Sequence, residues 1–233
     1  MKNYLPLFVL LFAFGCGNNK NNNEFIVKNI PNPDIIMDGI LNETAWQKAD
    51  KTDHFVFPWE DAKPPLTVFK AFHDADYFYF AFVAEDDEVV STPEINDEED
   101  LIEQDRVEIY LTLDKELRKY YCLELGANGY VLSYSASFPR QLDFSWDCPS
   151  VETAAVIHDN GYVMEARIPL ESLEKLGFSV EKPGSRVTAA VFRAQFNRLP
   201  DGTVEHHWLS WIDPQITKED FHVPSSFGYF IFE

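Results

Sequence analysis

Arg106 and Glu108 occur in a stretch, 105–113, where Val107, Ile109, Leu111 and Leu113 alternate with Arg106, Glu108, Tyr110 and Thr112. Period-two alternation sends the two sets to opposite faces of a strand, so one face belongs to a core and the other is polar. Residues 187–197 repeat the pattern, with Arg193, Gln195 and Asn197 on one side and Phe192, Ala194 and Phe196 on the other. A polar sheet face built from Arg106, Glu108, Arg193, Gln195 and Asn197 can bind a polyhydroxylated molecule. Guanidinium and amide N–H groups donate to hydroxyl oxygens, carboxylates accept from hydroxyl protons, and the C–H faces of a pyranose pack on aromatic rings. Trp59, in Pro58-Trp59-Glu60-Asp61, and Trp146, in Phe144-Ser145-Trp146-Asp147, stand among turn residues. Core packing explains a large aromatic less readily there, so both are candidates for ligand contact. Trp46, Trp208 and Trp211 lie in regular elements and are expected in the core. The competing reading of the polar faces is a wetted sheet surface with weak exposed ion pairs.

Other chemistries have little direct support. There is no G-x-S-x-G, Cys-x-x-Cys, His-Glu-x-x-His or glycine-rich phosphate loop, which leaves serine hydrolase, zinc and nucleotide readings without a motif. A glycosidase needs only two placed carboxylates, and 39 Asp and Glu are present. Hydrolysis of O-glycosyl bonds therefore stands as an alternative, as does a plain interaction sandwich. Calcium takes about six to eight hard oxygens. Asp86 and Asp87, with Asp97 and Asp100, could supply them, and a solvated acidic loop is the competing reading. A formal charge of −20 repels phosphate backbones and anionic headgroups, which argues against nucleic acid and leaves neutral or cationic ligands.

The start of the chain reads as an address. One lysine precedes an apolar run, 5–14, well short of the ~20 residues that span a bilayer. The run leads through Gly15 into Cys16, which resembles the lipobox of bacterial lipoproteins, so residues 1–15 are expected to be a signal peptide and Cys16 the lipidated residue. Ala13 departs from the usual leucine, and plain secretion is the alternative. Residues 16–23, rich in Asn, form a polar tether, and the folded domain is expected over 24–233. This places the protein outside the cytoplasm, held at the bacterial outer membrane by its lipid, on the periplasmic or cell-surface side. Cys122 and Cys148 could pair or remain buried thiols.

The elements that must hold these residues are mostly strands. From Thr67 onward, apolar runs of strand length alternate with turn signals, the pattern of an antiparallel β-sandwich, jelly-roll-like with an immunoglobulin-like architecture. Residues 77–84 carry aromatics on both faces and should form a central strand covered on each side. Asn128-Gly129 and Asn160-Gly161 mark two hairpins. Two short helices are expected, one capped by Asn42 and presenting Ala45, Trp46 and Ala49, the other running 171–176 and stopped by Gly177.

Several ordered motifs carry a resemblance. Ile36-Met37-Asp38-Gly39-Ile40-Leu41-Asn42-Glu43-Thr44-Ala45-Trp46 resembles the I-D-G-x-L-(D/N)-E-x-x-W opening of family 9 carbohydrate-binding modules and of related bacterial lipoproteins. Asp74-Ala75-Asp76-Tyr77-Phe78-Tyr79, Asp105-Arg106-Val107-Glu108-Ile109-Tyr110 and Gly161-Tyr162-Val163-Met164-Glu165 resemble later family strands, and Ser210-Trp211 with Pro224-Ser225-Ser226-Phe227-Gly228 resembles the closing segment. The resemblance implies a non-catalytic β-sandwich that binds oligosaccharide or polysaccharide, serves carbohydrate catabolism beside glycoside hydrolases and holds structural calcium. It also implies that Glu108 contacts sugar and that the face from Arg193 to Asn197 offers amides to the ligand. The family's aromatic clamp departs here, with Ile102 and Phe221 at the positions of its two tryptophans. Distantly similar sandwiches hold haem, for which Met164 with His73 or His158 would be the ligands, a reading ranked third.

Overall fold

The computed structural model describes residues 23–92, 99–148 and 150–233. The expected leader, Cys16, the tether except Asn23, and Asp97 lie outside the described residues. The strands are β1 (Glu24–Asn29), β2 (Asp50–Thr52), β3 (Thr67–His73), β4 (Tyr77–Glu85), β5 (Arg106–Thr112), β6 (Tyr120–Gly126) and β7 (Val131–Ser137), followed by β8 (Gln141–Asp143), β9 (Glu152–His158), β10 (Gly161–Pro169), β11 (Ser185–Arg198), β12 (Val204–Ser210) and β13 (Gly228–Phe232). The helices are α1 (Thr44–Lys48), α2 (Glu99–Ile102) and α3 (Leu170–Lys175), and a 3-10 turn covers Pro224–Ser226.

The strands run in the order β8-β7-β6-β5-β11-β13-β1-β3-β4-β10-β9, with β2 on β3 and β12 on β11. The path curls because β1 changes partners: its first residues pair with β13, and Lys28 and Asn29 pair with β3. Both pairings are parallel, so the sheet is mixed, whereas the alternating pattern alone predicts antiparallel strands. The inner faces enclose the main core, where Phe69, Phe80 and Phe82 meet Val107, Ile109, Val191 and Phe230.

Strand β4 is buried on both faces, as its aromatics predict. Phe78, Phe80 and Phe82 enter the main core, while Tyr79 and Ala81 pack outward beneath Trp46 of α1. The opening motif closes this outer layer through one carboxylate. Glu165 of β10 accepts from Trp46 Nε1 at 3.0 Å and from the backbone N–H groups of Gly39 at 3.0 Å and Asp38 at 3.2 Å. Asn42 does not cap α1; Glu43 occupies that position without a side-chain cap, and its carboxylate instead accepts from Ile36 N–H.

Both Asn-Gly hairpins form, as β6–β7 and β9–β10. Gly161 has φ +132, and a Cβ there would collide with the Ala84 carbonyl oxygen, so that turn requires glycine. Helix α3 ends before Gly177, whose φ is +97. Cys122 and Cys148 are buried and not joined in a disulfide.

Candidate functional site

The outer face of β5, β6, β7 and β11 carries its own small core, in which Tyr110, Tyr134 and Phe192 are capped by Phe221 from the segment before the 3-10 turn. Strand β11 is long enough to pair with β13 through its first half and with β12 through its second. The fork brings Trp208 of β12 beside Phe221, with ring centroids 5.6 Å apart and planes at 89°. Phe221 stacks on Phe192 at 4.2 Å and lies 5.2 Å from Trp59, whose Nε1 donates to the Ile216 carbonyl. Between this aromatic wall and the sheet lies a cavity of about 240 Å³. That is smaller than the ~300–1,000 Å³ of drug-sized pockets and suits one small ring unit.

The floor is polar and tightly bonded. Cross-strand register places Glu108 directly opposite Glu124. Arg106 Nε donates to Glu108 Oε1 at 3.0 Å and lies 2.7 Å from Glu124 Oε2, while its Nη1 donates to the Ile102 carbonyl at 2.7 Å. The Tyr110 hydroxyl bonds Glu108 Oε2 at 2.7 Å, the Tyr134 hydroxyl bonds Glu124 Oε1 at 2.7 Å, and the two phenol oxygens are 3.1 Å apart. The Arg106 guanidinium also sits over the rings of Trp208 and Phe196, 5.6 and 5.7 Å from their centroids. Arg140, His206, Glu219, Asp220 and His222 complete the lining.

Burial sets the protonation of this floor. Desolvation, then the neighbouring Glu124 charge, push the Glu108 carboxyl up to about 7 against the pull of Arg106 and Tyr110. Desolvation also raises the phenols of Tyr110 and Tyr134 far above their ordinary value. His222 is pulled down to about 4 by burial and then by Arg140, so at neutral pH it is an uncharged imidazole, its Nδ1 2.8 Å from the Tyr120 hydroxyl.

Of the residues expected to bind, Arg106, Glu108, Trp59 and Phe221 meet at this cavity. Arg193, Gln195 and Asn197 do not share their face. Register pairs Phe192 with Glu108 and Arg193 with Val107, which turns Arg193 to the inner side. There it is fully buried and donates to Thr67 Oγ1 at 3.0 Å, the Glu85 carbonyl at 2.9 Å and Asp86 Oδ2 at 2.8 Å. Gln195 and Asn197 follow on that side, opposite His207 and Glu205 of β12. Trp146 packs on Tyr121 at 4.8 Å, against the main core. Trp208, expected in the core, lines the cavity. Glu124 and His222 were not singled out from sequence. The available signal for Glu124 was a lone charge in the otherwise apolar and aromatic strand β6.

The calcium implied by the resemblance finds no fitting ligand set among the described residues. Asp86 already accepts from Arg193 and from Glu88 N–H, Asp87 is exposed, and Asp100 lies in α2. No group of three His, Cys, Asp or Glu among the described residues could hold a metal. Here a guanidinium supplies the positive charge beside Asp86. Of the residues considered for haem, Met164 fills the core, both ring nitrogens of His73 contact the backbone oxygens of Asp74 and Glu233, and His158 is exposed, its Nδ1 accepting from Asn160 N–H.

The sequence profile described as carbohydrate family 9 binding domain-like matches residues 36–233. The chain belongs to this family. Several solved structures share the fold of this chain. A Bacteroides uniformis protein provisionally assigned as carbohydrate-binding superposes with a TM-score of 0.67 at 16% identity, covering 91% of this chain and 99% of that one. A family 9 carbohydrate-binding module from Caldicellulosiruptor kristjanssonii in complex with cellotriose gives 0.62 at 15% identity, covering 90% of this chain and 93% of that one. A family 9 module from the same organism in complex with glucose gives 0.57 at 16% identity, covering 90% and 95%. No curated protein matches the chain. Placed in the family 9 domain, the opening motif is the segment latched by Glu165, and Glu108 with its strand forms the cavity floor.

Proposed function

We propose that the cavity binds a saccharide unit without breaking bonds, and that the protein does so outside the cytoplasm, anchored through Cys16, as an accessory to glycoside hydrolases. The observation that carries this is the pairing of a fixed donor and acceptor set, Arg106, Glu108 and Glu124, with the aromatic wall of Trp59, Trp208 and Phe221 in one cavity of about 240 Å³. Hydroxyls of a sugar can bond the floor while its C–H face packs on the wall. The bound cellotriose and glucose of the two Caldicellulosiruptor proteins support this ligand class.

The floor carboxylates suit holding better than catalysis. Each oxygen of Glu108 and Glu124 is already bonded to Arg106 or to a phenol, whereas a glycosidase needs one carboxyl free to give a proton and another to attack or activate water. Shallow sites of this kind bind modestly, because each hydrogen bond to sugar replaces one to water. The test is a glycan array with the wild-type protein and Trp208→Ala, together with a reducing-end assay on the same polysaccharides. Binding that Trp208→Ala weakens by about tenfold or more, with no new reducing ends, supports the reading. Release of reducing ends, or binding indifferent to the substitution, overturns it.

A further inference from the structure

Glu108, Tyr110 and Glu124 of the cavity floor join Tyr134 of the core beneath it in a line of four oxygens, Glu108 Oε2, Tyr110 Oη, Tyr134 Oη and Glu124 Oε1, separated by 2.7, 3.1 and 2.7 Å. Three oxygen–oxygen contacts of hydrogen-bond length need three protons, and the two phenols bring two. If both carboxyls were ionised, each phenol would donate to its own carboxylate and the phenol oxygens would face each other without a proton between them. One proton on either carboxyl completes the line in a single direction, from carboxylic acid through both phenols to carboxylate.

We infer that Glu108 and Glu124 share one proton, and that the floor they form with Arg106 is therefore charge-neutral and selects a saccharide unit bearing no carboxylate or sulfate. This rests on the cavity being the saccharide site. Arg106 is matched by one remaining carboxylate, so the floor offers no net positive charge to an anionic sugar. At the mouth, Glu219 and Asp220 stand against Arg140, while His206 lies 3.9 Å from Glu219 and His222 is uncharged at neutral pH. Cys122, the remaining titratable group packed on the pair, is held as a neutral thiol by burial. An anionic sugar would thus surrender its hydration to a neutral floor and an acidic rim. A neutral sugar gives up only hydroxyl hydration, which the floor replaces.

Two measurements decide this, one of which needs no ligand. Glu124→Gln places an amide N–H where the shared proton would be, so the oxygen line stays complete at every pH. Because the folded pair keeps a proton that unfolded carboxyls lose near their ordinary value, wild-type stability falls as pH rises from about 4.5 to about 7. The difference in melting temperature, Glu124→Gln minus wild type, should therefore increase by about 5 °C from pH 5 to pH 8. A difference that is flat with pH overturns the shared proton. At pH 6.5, neutral oligosaccharides should bind wild type at least about tenfold tighter than their uronic-acid counterparts. Equal or tighter uronate binding overturns the selection. Failure of every saccharide to bind overturns the reading of the cavity itself and the selection with it, while the melting series still judges the proton.

Discussion

The indole Nε1 of Trp46 donates to Glu165 Oε1 at 3.0 Å, and this contact ties the opening motif to the second face of β4 and β10. Glu165 is fully buried and its other oxygen receives two backbone N–H groups. Glu165→Ala would leave three donors without their partner, at a cost of about 3 kcal/mol or more. The expected result is a melting temperature lower by about 6–12 °C, with saccharide affinity retained in the folded fraction. Calorimetry would refute the latch by finding no loss.

Arg193 and Asp86 form a fully buried ion pair at 2.8 Å. Removing one partner strands the other charge, which typically costs about 3–5 kcal/mol. Arg193→Met should therefore depress the melting temperature by at least about 6 °C and leave glycan affinity at a permissive temperature unchanged. Lost binding with unchanged stability would return Arg193 to the ligand face.

Trp208 and Phe221 wall the cavity, and Phe221 also stacks on Phe192. Trp208→Ala should weaken saccharide binding about tenfold, near 1.4 kcal/mol. Phe221→Ala should weaken it as well, and should further destabilise the domain by about 3 kcal/mol because Phe221 is buried. Titration calorimetry and thermal melts separate the two effects. Wild-type affinity in both variants would move the site elsewhere.

His222 titrates near 6.5 when unfolded and is pulled down to about 4 in the fold. The unfolded chain therefore binds the extra proton between those values, and the corresponding stability is intact above about 6.5 and lost as pH falls toward 4. The loss should reach up to about 3 kcal/mol. His222→Gln should show a shallower decline in melting temperature over the same range. An unchanged acid limb would mean that other groups carry it.

Much of the architecture was legible in the residue order. Period-two alternation located most strands, two Asn-Gly pairs placed the hairpins, and the two-sided aromatics of residues 77–84 announced a central strand. Arg106 and Glu108 were legible as a polar strand face because their alternation with Val107 and Ile109 is local. Trp208 was misplaced because its strand, β12, leans over the cavity and leaves the ring half-buried at the mouth. Asn42 looked like a helix cap because its type suits one, yet the helix begins a residue later.

The sequence by itself determined that the chain folds as strands with polar and apolar sides, since side-chain direction along a strand follows from backbone geometry alone. Only the tertiary structure decided which sides coincide. The alignment of β11 on β5 sets Phe192, and not Arg193, opposite Glu108; a shift of one residue would have exchanged the two faces. Strands so distant in the chain are aligned by what each side can bury. Phe192 of β11 completed the small outer core beneath Phe221, and Arg193 could turn inward because Asp86, Thr67 and the Glu85 carbonyl were there to satisfy it.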